Sequence, residues 1–137
     1  MTDASDALSV AAAGLRAQSA RMRIIAENIA NANSTAETPG TDPYRRQMPV
    51  FESELDRASG LETVRMSRAA PDMSDFRLEY EPGHPAADEE GYVRYPNVQT
   101  LIELMDMREA QRSYEANLNM VESSKRMMER ALDLLRR

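Results

Sequence analysis

The sequence predicts a mainly α fold, with long N- and C-terminal helices paired as an antiparallel coiled coil and a small β-rich, turn-rich segment between them. Three observations carry that expectation. All seven prolines lie between Pro39 and Pro96, and four of the five glycines lie between Gly40 and Gly91. Both ends are therefore free of helix-breaking proline over long stretches. Both ends also repeat apolar residues at the three-and-four spacing of a helix face. Charge divides the same way: residues 1–33 hold three basic and three acidic groups, and residues 98–137 hold seven of each. The middle, 34–97, holds seven basic against thirteen acidic groups and carries the whole net charge of −6. The organisation read from this is an N-terminal helix over 1–33, a central β/turn segment over 34–97 and a C-terminal helix over 98–137, one domain built from both ends.

The N-terminal segment repeats by seven. Leu8, Leu15, Met22 and Ile29 are seven apart, and Ala11, Gln18, Ile25 and Ala32 fill the alternate seam positions. This is a narrow apolar stripe on a helix of about 28 residues, ~42 Å long. Its remaining faces are rich in small residues, as in Ala11-Ala12-Ala13-Gly14. Small residues let a second helix come close.

The C-terminal segment alternates by three and four without a break through Leu104, Met107, Gln111, Tyr114, Leu118, Val121, Lys125, Met128, Leu132 and Leu135. Gln111 and Lys125 are polar intrusions of the kind that fix register. Pro96-Asn97 marks the start, and Thr100 with Glu103 fits a capping box. Glu122–Arg126 and Asp133–Arg137 are four-apart pairs worth ~0.2–0.5 kcal/mol each. The methionines at 105, 107, 120, 127 and 128 read as flexible core filler.

In the centre, Phe76-Arg77-Leu78-Glu79-Tyr80-Glu81 alternates strictly and predicts a strand with one buried face. Tyr92-Val93-Arg94-Tyr95 is its expected partner, and Leu61 to Met66 is expected as a third strand. With so few large apolar residues, such a sheet needs a helix or a neighbouring molecule to lean on.

Composition narrows the function classes. The chain has 137 residues, no cysteine and no tryptophan, so thiolate chemistry and a cysteine-ligated zinc site are excluded. The net charge of −6 argues against a dedicated nucleic-acid binder. No apolar run approaches the roughly 20 residues of a membrane-spanning helix, and no secretory leader pattern opens the chain. The one histidine, His84, sits in a turn between Gly83 and Pro85, near Asp88, Glu89 and Glu90. No second histidine completes a metal site and no serine–histidine–acid set can be proposed. The expectation is no enzyme, no cofactor and no metal. His84, Asp88, Glu89, Glu90 and Tyr92 are read instead as a central loop that contacts a partner.

Two amphipathic helices on a short chain leave apolar surface uncovered when they pair. Leu101, Ile102, Met105 and the alanine-rich back of the first helix remain, and a free monomer rarely exposes so much. Assembly is the economical resolution; a monomer or dimer whose centre folds back over the seam is the alternative. The expected assembly surface is Leu8, Leu15, Met22, Ile25, Asn28, Ile29 and Asn31 on the first helix. On the second it is Leu104, Met107, Tyr114, Asn117, Leu118, Val121, Met128, Leu132 and Leu135. Asn28 and Asn31, three apart on one face, are expected either to fray with a C-terminal cap at Asn33 or to hydrogen-bond a neighbour.

The run Ala26-Glu27-Asn28-Ile29-Ala30-Asn31-Ala32-Asn33 resembles the N-terminal motif of the bacterial flagellar axial proteins, the rod, hook and hook-associated group. Arg112-Ser113-Tyr114-Glu115-Ala116-Asn117, with Met127, Leu132 and Leu134 beyond it, is similar to their C-terminal motif. The central run from Pro82 through Tyr92-Val93 to Tyr95-Pro96-Asn97-Val98, and Met105 to Ala110, resembles the proximal rod members of that group. The likeness covers nearly the whole chain. It departs from the group after the asparagines, where axial proteins commonly have Thr-x-Gly-Tyr; here Thr38 and Gly40 precede Tyr44 by a longer path.

The resemblance implies a structural subunit exported by the flagellar type III apparatus without signal cleavage. It implies polymerisation in the periplasm into a hollow helical rod that transmits torque from motor ring to hook. Its partners would be other copies of itself, proximal and distal rod subunits, the rod–motor-ring adaptor and the export apparatus. The paired helices would pack radially around the channel. A soluble coiled-coil adaptor that recruits a partner without polymerising is the reading from a different class.

Overall fold

The computed structural model describes residues 2–137. Its order is α1 (Thr2–Ala30), β1 (Gln47–Asp56), β2 (Leu61–Pro71), β3 (Arg77–Tyr80), β4 (Tyr92–Tyr95) and α2 (Thr100–Leu135). Helix takes 47% and strand 21%, so the centre carries more strand than the mainly α expectation allowed. The chain divides into two compact units, one of Met1–Met22, Val50–Arg68 and Arg108–Arg137, the other of Arg23–Pro49 and Ala69–Met107. Each unit draws on both helices.

The helical unit is packed by small side chains. Ala11, Ala13, Ala17 and Ala110 are buried with Gly14 and Ser124, while Leu8, Leu15 and Met22 are half-buried. A Cβ on Gly14 would lie 2.8 Å from both polar atoms of the Asn117 amide, so glycine leaves the space that amide occupies. Arg21 reaches Glu109 at 3.6 Å on the same pair of helices. These two contacts run in opposite directions along the chain, as antiparallel helices require.

The expected seam on α2 is half right. Met107, Tyr114, Val121 and Met128 are half-buried as expected. The alternate row is not the expected one. Leu104, Leu118 and Leu132 are 48%, 39% and 55% exposed. In their place Glu103, Ala110, Asn117, Ser124 and Ala131, each seven apart, are buried or half-buried. One row is displaced by one residue, ~100° on a helix, while the other stays, so the inward face is turned by about 50°. Small residues won the interface because α1 presents alanine and glycine there, and close approach leaves no room for a leucine row. Met105, Met120 and Met127 are at least half-exposed, so the core-filler reading holds only for Met107 and Met128 among the five.

Strands β1 and β2 form a two-stranded sheet. The hydroxyl of Thr63 donates to the Glu54 carbonyl and that of Ser67 to the Val50 carbonyl, which sets an antiparallel hairpin register. Its turn is local chemistry. Asp56 accepts from Ala58 N–H at 3.0 Å and from the Ser59 hydroxyl at 2.7 Å, and Gly60 takes a φ of 73°. The Ser59 hydroxyl bond, with the backbone amide of Ala58, holds the Asp56 carboxyl below its ordinary range. The expected third strand therefore exists, but it pairs with β1. Sequence reading passed over β1 because Pro49 interrupts it, and proline is tolerated only at strand ends and edges.

Strands β3 and β4 pair antiparallel as expected, with Leu78 opposite Arg94 and Tyr80 opposite Tyr92. Their expected burial is reversed. Leu78 and Tyr80 are 60% and 65% exposed, whereas Val93 on the opposite face of the pair is fully buried.

Candidate assembly interface

Asn28 uses every donor and acceptor of its side-chain amide. Its amide nitrogen donates to the Gln47 carbonyl at 2.8 Å and to Glu103 Oε2 at 3.3 Å. Its oxygen accepts from Gln47 N–H at 2.9 Å and from the Tyr44 hydroxyl at 2.7 Å. Four bonds satisfy an amide completely, and the residue is 1% exposed. Asn28 thus bonds the Gln47 backbone and the Glu103 and Tyr44 side chains within its own chain. Tyr44, reached by the longer path after the first helix, is held to α1 by its bond to Asn28. Burial, then the charges of Glu27 and Glu103, push its phenol above the ordinary value.

Behind Asn28, one guanidinium gathers three acids. Arg46 Nε donates to the buried Glu103, Nη1 lies 3.3 Å from Asp72, and Nη2 lies 3.6 Å from Asp106. Burial alone would lower the Arg46 pKa, but the bonds and charges of Glu103 and Asp72 outweigh it and raise it. Asp72 is held below the ordinary carboxylate value, first by the Ser74 backbone and hydroxyl and then by Arg46. Asn97 accepts from Arg46 N–H at 2.8 Å and donates to the Asp72 carbonyl at 2.9 Å. Glu103 is therefore part of this clasp rather than the capping partner of Thr100. A glutamate at the inward heptad position was the signal that could have found it.

Asn31 is bound within its own helix end, donating to the Glu27 carbonyl at 2.9 Å and accepting from Ser34 at 3.2 Å. Asn33 has no left-handed φ, so it is not a left-handed cap; it accepts from Arg77 at 3.2 Å. Ile25 is 3% exposed and Ile29 half-buried. Of the expected residues on α1, Ile25 and Asn28 are thus covered by the chain itself.

The central loop is organised from within. Ala86 N–H donates to His84 Nδ1 at 3.0 Å, which leaves Nε2–H to face the Thr35 hydroxyl at 3.3 Å. Asp88 accepts from Glu90 N–H at 3.0 Å and Tyr92 N–H at 2.9 Å. Glu89 and Glu90 are exposed, and Tyr92 meets Tyr80 edge-on with ring centroids 5.4 Å apart. Gly91, with a φ of 89°, is where a Cβ would strike that Tyr80 ring at 2.8 Å. The Tyr95 hydroxyl donates to Glu81 at 2.7 Å, and this bond raises its phenol above the ordinary value.

What remains on the surface is apolar and lies on several elements. On α2, Leu101, Met105, Leu132, Leu134 and Leu135 are all more than half exposed. Among the described residues no helix is long and apolar enough to cross a membrane.

Residues 8–36 match a family model described as flagella basal body rod protein. Residues 89–134 match one described as the C-terminal part of flagellar basal body rod FlgEFG proteins. The flagellar basal-body rod protein FlgC of Agrobacterium fabrum is 51% identical over 136 residues, covering 99% of this chain and 98% of that protein. This chain belongs to the FlgC family. FlgC of Aquifex aeolicus is 40% identical over 97% of this chain and 98% of its own length. FlgC of Salmonella typhimurium is 39% identical over 91% and 92%. The resemblance read from the terminal asparagines and the Ser113-Tyr114-Glu115-Ala116-Asn117 run is thus a membership, and it spans both helices and the sheets between them.

Proposed function

We propose that this chain, a structural and non-enzymatic subunit of the flagellar basal-body rod, polymerises through the apolar surface its own fold leaves open. The observation that carries this is the outward row on α2. Leu104, Leu118 and Leu132 lie outside the small-residue seam, so the two helices can pair tightly and still offer leucines to a neighbour. Both two-stranded sheets add to the surface, through Leu78, Tyr80 and Tyr92 on one and Phe51, Leu55 and Val64 on the other.

In this reading the helices pair as an antiparallel coiled coil and line a hollow shaft. Different faces of each subunit meet different neighbours, the heterologous contact that builds an open helix rather than a closed ring. The shaft stands in the periplasm, joins other rod subunits and the rod–motor-ring adaptor, and carries torque to the hook. The chain reaches it through the flagellar type III apparatus, which accounts for a fold with a small, alanine-rich core that re-forms after passage. Leu8, Leu15, Met22 and Ile29, half-buried in the chain, complete the contact set with Tyr114, Val121, Met128 and Leu135. The exposed Glu89 and Glu90 with Tyr92 form a second contact on the central loop.

The test is complementation of a strain lacking this chain. Leu118→Asp with Leu132→Asp is expected to abolish swimming and to leave purified basal bodies without the subunit, while the chain itself remains folded. Normal swimming with both substitutions overturns the proposal.

A further inference from the structure

The chain has ten methionines, no cysteine and no tryptophan, so a two-electron oxidant acts on it chiefly at methionine sulfur. Among the described residues the methionines fall into two sets. Met22, Met48, Met66, Met107 and Met128 are half-buried, whereas Met73, Met105, Met120 and Met127 are at least half-exposed. Three of the exposed four lie on α2, in the company of exposed leucines. Met105 stands one turn beyond Leu101, and the two are 63% and 72% exposed. Met120, Met127 and Leu134 are seven apart, two turns each, and form one stripe that is at least half open along its length. The helix carries its own comparison, because Met107 and Met128 belong to the inward side. Met127 and Met128 are adjacent in sequence and differ in cover.

We infer that Met105, Met120 and Met127 are oxidation sites whose state decides whether the free chain can assemble. The inference rests on the rod reading and adds a means of regulating it. The sulfur lone pair attacks one oxygen of hydrogen peroxide; an S–O bond forms, the O–O bond breaks, and the second oxygen leaves as water with both protons. Sulfur loses two electrons and peroxide gains them. The product is a sulfoxide, which turns a flexible apolar side chain into a polar one. A neighbour that covers these rows would bury the sulfoxide oxygen among leucines without a donor, which opposes association. The fold of the chain itself is spared, since these three side chains lie outside the small-residue seam. Assembly in turn covers the sulfurs, so the free chain is sensitive and the assembled chain is not.

The first test is chemical. The purified chain is treated with hydrogen peroxide and the sulfoxides are located by fragment-ion mass spectrometry. Met105, Met120 and Met127 are expected to oxidise at least about fivefold faster than Met107 and Met128, as thioether exposure requires. Equal rates overturn the inference. In purified basal bodies the same three are expected to slow by about tenfold or more, because oxidation follows access. Undiminished rates there overturn it, whereas basal bodies that lack the chain overturn the rod reading itself. The second test is genetic. A chain with Met105→Gln, Met120→Gln and Met127→Gln, polar side chains of similar length, is expected to keep its circular dichroism and to abolish swimming. Leucine at the same three positions is expected to preserve swimming. Normal swimming with the glutamines, or loss of swimming with the leucines as well, overturns the inference.

Discussion

The two units of this molecule are held by opposite means. In the unit of residues 23–49 and 69–107, a polar clasp does the joining: Asn28 ties α1 to β1, and Arg46 ties β1 to the start of α2 through Glu103. In the unit of 1–22, 50–68 and 108–137, polar bonding is sparse and close approach does the joining, with Gly14 against Asn117 and alanines around them. The clasp is directional and costly to leave incomplete, so it specifies one arrangement. The small-residue seam is shallow in energy and leaves the large apolar side chains outside. The two units are joined by different means, yet both leave large apolar side chains exposed, Leu78, Tyr80 and Leu101 in one and Leu118, Leu132 and Leu134 in the other.

The sharpest way to break that contrast is to remove the centre of the clasp. Arg46→Leu strands the buried Glu103 without its cation, and a loss of roughly 3 kcal/mol or more in a urea titration is expected. A change under about 1 kcal/mol would mean the clasp is dispensable. Asn28→Ala should come next, at about 2–3 kcal/mol, because it leaves the Gln47 N–H and carbonyl and the Tyr44 hydroxyl without their partner.

Gly14→Ala probes the other unit. The new methyl meets Asn117, and about 1–3 kcal/mol of destabilisation is expected from the clash. Adding Asn117→Ala should restore stability to wild type or above, since alanine in a helix interior is favoured over glycine by about 1 kcal/mol. Failure of that rescue would show that the Asn117 amide, rather than space, matters at this layer.

A smaller effect is expected from pH. The Asp72 carboxyl is depressed in the folded state, so its contribution is fully present above the ordinary carboxylate value of 3.8 and is lost as pH falls through the lower folded value. Asp72→Asn should flatten the acid limb of a stability–pH profile; an unchanged limb would place that dependence elsewhere. Smallest of all on stability is Leu118→Asp. At 39% exposure it should lower the unfolding free energy by no more than ~0.5 kcal/mol, even though its effect on assembly is expected to be large. A large loss of stability would return Leu118 to the seam where periodicity had put it.

Much of this was legible beforehand because it depends on local order. The proline-free ends announced both helices, the alternation of Arg77 to Tyr80 announced β3, and Tyr92 to Tyr95 announced its partner. The terminal motifs were sufficient to identify the group to which the chain belongs. Periodicity also placed Met107, Tyr114, Val121 and Met128 on the inward side. It failed where two rows of the same helix competed. Leucines at 104, 118 and 132 look like a core, and Ala110, Asn117 and Ser124 do not, until the partner helix is known to present glycine and alanine.

By itself, the sequence determined both helices, strands β2 to β4 but not β1, the placement of the acidic centre, and the family. Those follow from backbone preference and from motifs read along the chain. Tertiary structure alone decided which face of each element is covered. Helix rotation and sheet facing depend on what stands opposite, and amphipathicity gives one apolar side without saying whether the chain or a neighbour will cover it. That choice goes against the usual rule on α2 and on β3–β4, where Leu132, Leu78 and Tyr80 stay exposed. On the proposed rod assembly, these are the side chains left for a neighbour to cover.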